Sequence, residues 1–151
     1  MAFEQVRDVI ERARRFHEEL ARFYERQEVS AAREKVRLLL EYLRAHEQRM
    51  AEELGALERT ALAGVLDTWF KYSPGPDLLD AVRQAAIRPD MTPHEVIAEA
   101  LALDQHLLDL YQQAVERAPI PDVREALLDL YAEGLKQRAL VVRDVYEPEE
   151  G

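Results

Sequence analysis

Residues Leu39–Ala51 read LLEYLRAHEQRMA and residues Leu127–Ala139 read LLDLYAEGLKQRA, two segments with the same Leu-Leu-acid opening. An earlier pair matches in the same way: FHEELARFYERQ (Phe16–Gln27) against LDQHLLDLYQQA (Leu103–Ala114), with Tyr24 opposite Tyr111. The offset is 88 residues in the first pair and 87 in the second. Apolar residues recur every three or four positions in all of them, the period of a helix with one buried face. A near-constant offset between two such pairs describes one helical hairpin used twice. Two hairpins joined by a long crossover close as a four-helix bundle, so the expected fold class is all-α.

Local punctuation sets the expected boundaries. A first helix is predicted over Phe3–Gln27, and a second from an N-cap at Ser30 to Leu54, just before Gly55. Leu57–Tyr72 (LERTALAGVLDTWFKY) is also helical in pattern, and SPGP at Ser73–Pro76 ends it. Asp77–Ile87 is a short helix closed by RPDM. Thr92, Pro93 and Glu95 form a capping box with proline at the first helical position, and the helix they open runs to about Arg117. After APIP, Asp122 is the expected cap of a last helix ending near Tyr146. The chain is thus read as one domain: hairpin 3–54, crossover 55–91 and hairpin 92–146.

Composition excludes several classes of function. The 151 residues are 48% apolar and 33% charged, suited to a single folded core. The net charge of −10 repels nucleic-acid backbones and anionic membranes, so neither is an expected partner. Without cysteine there is no disulfide, no thiolate nucleophile and no Cys-ligated cluster. No apolar run is long enough to span a membrane, and the N-terminus lacks the apolar core of a signal peptide, so a cytoplasmic location is expected. No glycine-rich phosphate loop, nucleophilic triad or basic patch is visible.

The core stripes carry the functional signal. They read Phe3, Val6, Ile10, Ala13, His17, Leu20 and Tyr24 on the first helix, and Val36, Leu40, Leu43, Glu47, Met50 and Leu54 on the second. In the later hairpin they read Ile97, Ala100, Asp104, Leu107, Tyr111 and Ala114, then Leu128, Tyr131, Leu135, Arg138, Val142 and Val145. Each contains one ionisable interruption: His17, Glu47, Asp104 and Arg138. A buried polar group without a partner costs several kcal/mol, so four of them at matching levels point to one buried polar network. His46 falls one residue off its stripe and is expected at the boundary or surface; His106, Glu41 and Asp129 are expected at the surface, and His94, in the first turn of its helix, needs no functional explanation. Trp69 and Phe70 lie in an aromatic cluster that either packs the crossover or forms a homodimer interface.

The segment ALALDQHLLDLYQQAVERAPIPDVREALLDLYAEGLKQRAL (Ala100–Leu140) resembles the rubrerythrin branch of the ferritin-like superfamily, and Phe16–Ala51 resembles the same pattern. The resemblance covers the two hairpins and not the crossover. In that family each hairpin supplies one Glu from its first helix and a Glu-x-x-His from its second, and the six ligands hold two iron or manganese ions. The resemblance places those positions at His17, Glu47, Met50, Asp104, Leu135 and Arg138. Only His17, Glu47 and Asp104 are ordinary ligands for such metals. Met50 is a soft thioether, Leu135 removes a carboxylate, and Arg138 is a permanent cation. The resemblance therefore implies a ferritin-like protein with lost ligands at Met50, Leu135 and Arg138, no cofactor, and an Arg138–carboxylate network in place of the metals. Its role would be non-catalytic binding or assembly. The alternative is a metal-dependent redox protein, with iron or manganese held at His17, Glu47 and Asp104.

Overall fold

The three- and four-residue spacing of apolar side chains folds the chain into four long helices, α1 (Val6–Ser30), α2 (Glu34–Thr60), α5 (Pro93–Arg117) and α6 (Pro121–Tyr146). The computed structural model describes residues 3–72 and 77–146. The SPGP break at 73–76 lies outside the described residues. Between the hairpins run the short helices α3 (Ala63–Leu66) and α4 (Leu78–Gln84). The architecture is an all-α bundle of two helical hairpins with a long connection. No helix among the described residues is long and apolar enough to cross a membrane.

Three of the four stripes are in phase. Val6, Ile10, Ala13, His17, Leu20 and Tyr24 are buried on α1, and Val36, Leu40, Leu43, Glu47, Met50 and Leu54 on α2. On α5, Ile97, Ala100, Leu107, Tyr111 and Ala114 are buried and Asp104 is half-buried. The start of α5 follows the capping-box chemistry: Thr92 Oγ1 accepts from Glu95 N at 3.2 Å, and Glu95 Oε1 accepts from Thr92 N at 3.2 Å. A cap of this kind contributes about 1 kcal/mol.

The fourth stripe is rotated from the expected one. Helix α6 buries Val123, Leu127 and Val141, whereas Leu128 is 38% and Leu135 43% exposed. Apolar residues stand on several faces of α6, so their spacing alone does not select one. Gly134 selects it: a Cβ there would meet Leu108 Cδ2 at 2.9 Å, so the bare backbone of α6 faces α5 at that level. Leu135, the next residue, is turned outward.

Other boundaries also differ from expectation. Ser30 does not cap α2; it ends α1, and Arg33 stands at the α2 N-cap. Gly55 does not stop α2, which continues to Thr60, a mid-helix glycine costing only about 1 kcal/mol. Asp122 lies inside the first turn of α6, behind Pro121. Phe3 does not begin a helix. Phe3–Gln5 (β1) pairs antiparallel with Trp69–Lys71 (β2), Glu4 opposite Phe70, and fastens the crossover to the chain start. Aromatic side chains favour such a ribbon over a continued helix. Its inner face is anchored by the buried Glu4, which bonds Arg12, and by Phe70, stacked on Tyr72 with centroids 5.4 Å apart. The Tyr72 hydroxyl donates to the Leu110 carbonyl at 3.2 Å, so the crossover is also pinned to α5.

Candidate functional site

His17 and Glu47 meet where α1 crosses α2. Glu47 is 2% exposed, and its Oε2 accepts from His17 Nδ1. The bond fixes which imidazole nitrogen faces the carboxylate. Two turns along α1, the Tyr24 hydroxyl is fully buried and has no hydrogen-bond partner among the described residues. Burial holds its phenol well above the ordinary range, and the carboxylates of Glu47, Asp104 and Glu99 push it further.

Asp104 reaches the same region from α5. Burial raises its carboxyl well above the usual aspartate range; the Glu47 charge adds to the rise, and the Arg138 charge opposes it. Arg138 is half-buried on α6, and its Nη1 donates to Gln105 Oε1 at 2.7 Å. Among the described residues it forms no ion pair with Glu47 or Asp104. The bonded part of the expected network is therefore His17 with Glu47. Gly134 turns this face of α6 toward α5, and Arg138, one turn further on, meets the neutral amide of Gln105 there.

These groups sit at a half-open cleft of about 450 Å³ between the hairpins, lined by His17, Met50, Asp104 and Arg138 among others. His46 lines it too. It is 6% exposed, against the expectation of a boundary or surface position. The α2 core face is wide enough to take both 46 and 47, a breadth that a single-file stripe does not capture. Burial lowers the pKa of His46, favouring the neutral imidazole. Leu135 is on the outside of α6 and has no part in the cleft. His106, Glu41 and Asp129 are exposed, and the exposed His94 stacks on Tyr146 with centroids 5.2 Å apart. Among the described residues, no three His, Asp or Glu side chains are grouped closely enough to share a metal ion.

No protein-family model matches the chain, and no curated protein matches it. Its structure is similar to the crystal structure, at 2.30 Å, of a Thermotoga maritima protein described as a candidate ferritin-like diiron-carboxylate protein. The TM-score is 0.59 with 19% sequence identity, and the match covers 99% of both chains. At that identity the likeness speaks for the fold, and it spans the crossover as well as both hairpins. The chain therefore has the fold of a ferritin-like helical bundle.

Proposed function

We propose that this ferritin-like bundle has lost the dinuclear metal centre of the rubrerythrin-like branch and serves as a non-catalytic binding module. The observation that supports this most directly is the His17–Glu47 bond, which spends two of the remaining metal-type ligands on each other. The other positions reinforce it. Met50 offers a soft thioether, Leu135 faces outward, and Arg138 brings a fixed positive charge to the cleft. Two cations would have to displace the imidazole–carboxylate bond and tolerate the guanidinium. The residues present do not suit that group.

Purified protein titrated with ferrous iron in air tests the reading. We expect iron well below one ion per chain and no ferroxidase absorbance. Stoichiometric iron or manganese would overturn it in favour of a one-ion redox site at His17, Glu47 and Asp104. The assembly part of the proposal rests on the ribbon. Trp69 is 60% and Phe3 61% exposed, whereas Phe70 is core, so a homodimer would form through Trp69 and Phe3 rather than through Phe70. Sedimentation should then show a dimer in the native chain and a monomer in Trp69→Ala; a native monomer removes this part.

A further inference from the structure

We propose that the cleft between the hairpins is a binding site for a small apolar amine, with the ammonium group seated at Asp104 and His46 and the hydrocarbon body lying along the leucine wall. The inference rests on the proposal that the site is not a metal centre, and it names the ligand class.

The volume comes first. A cleft of about 450 Å³ is of small-molecule size, and its wall is apolar: Leu54, Leu57, Leu107, Leu108 and Leu130 line it with Tyr111. A ligand filling it must therefore bury hydrocarbon. The second observation concerns what the interior lacks. His46 is 94% buried and lines the cleft, yet its imidazole has no hydrogen-bond partner among the described residues. His17 also lines it, with only Nδ1 engaged. These imidazole nitrogens are not sealed off; they stand open to the cleft, where a ligand can take the place of water as their partner.

Charge then decides the sign of the ligand. Carboxylates dominate the lining: Asp104 inside, with Glu53, Asp129 and Glu133 exposed at the mouth. The one guanidinium, Arg138, is already held by Gln105. The bond to a neutral amide leaves the Arg138 charge in place, but four carboxylates stand against that one guanidinium, so an ammonium is favoured over an anionic head. An ammonium has three donors and no acceptor, which suits a cleft lined by a carboxylate and an imidazole nitrogen. Beside Asp104 it also offsets the repulsion from Glu47.

Octylamine, 1-octanol and octanoate share one hydrocarbon chain and differ in head-group charge. Calorimetric titration of the full chain at neutral pH should rank them in that order. A charge-assisted bond at Asp104 is worth about 10- to 100-fold between amine and alcohol. Asp104→Asn should lower octylamine affinity to that of octanol and leave octanol unchanged. Glu53→Gln with Glu133→Gln, on the exposed rim, should weaken octylamine a few-fold without touching the interior. Equal binding of the three compounds, tighter octanoate, no binding at all, or an Asp104→Asn protein that keeps its preference for the amine would each overturn the proposal. Iron titration of the same samples separates the two readings. Iron uptake overturns the loss of the metal centre; absent amine selectivity without iron uptake overturns only the amine site.

Discussion

His17→Leu is expected to destabilise the protein by about 3–5 kcal/mol, the usual result of removing one member of a buried ion pair or charge-assisted bond. Glu47 is 2% exposed, and its bonded partner is the His17 ring. With that ring gone, a buried carboxyl group is left without its partner, which costs stability. Glu47→Leu should cost less, about 1–3 kcal/mol, because it leaves an imidazole at the edge of the cleft short of one hydrogen bond rather than a fully buried carboxyl short of its partner. It also removes a charge that raises both Asp104 and Tyr24. The double replacement, leucine at both positions, should return close to the native stability or exceed it, since apolar substitutes for a buried pair are often neutral or stabilising. Chemical denaturation of the four proteins measures this ladder. A His17→Leu cost under about 1 kcal/mol, or a double variant worse than either single one, would mean that the bond does not organise this part of the core.

The asymmetry between the hairpins explains what was legible in the sequence. On α1, α2 and α5 the apolar residues lie on one side, and Val6 through Tyr24, Val36 through Leu54 and Ile97 through Ala114 could be placed from spacing alone. His17 and Glu47 were found for the same reason: an ionisable residue in phase with a clean stripe must be buried. On α6 the internal repeat transferred the α2 phase to Leu128 and Leu135, but the repeat holds at the level of the chain and not of side-chain direction. The deciding residue is Gly134, whose missing side chain admits Leu108. Spacing cannot reveal a contact made through the absence of atoms. The β1–β2 ribbon escaped for a different reason, since three residues are too few to show alternation and Phe3 also continued a helical stripe. His46 was misplaced because a stripe drawn one residue wide leaves out the second buried column of a broad helix face.

Leu127→Ala should then have an effect out of proportion to its size. The lost methyl groups and the cavity left behind cost about 2–5 kcal/mol at a fully buried leucine. Leu127 is 0% exposed, but α6 has few such anchors: besides Leu127, only Val123 and Val141 are fully buried along it among the described residues. The α1–α2 hairpin, by contrast, buries residues along almost its whole length. A cavity at Leu127 therefore removes much of what holds α6 to α5, and the loss should be local before it is global. Hydrogen exchange should show the α6 amides losing protection while those of α1 and α2 keep theirs, the pattern of a cooperative unit that opens by itself. Denaturation followed by a probe on α6 and by one on α1 should give separate transitions in the variant and a single one in the native chain. Because α6 supplies Leu130 and Arg138 to the cleft, the variant should also bind octylamine more weakly without any change at Asp104. Uniform loss of protection across all four long helices would instead show that the bundle unfolds as one unit, with α6 as firmly docked as the rest.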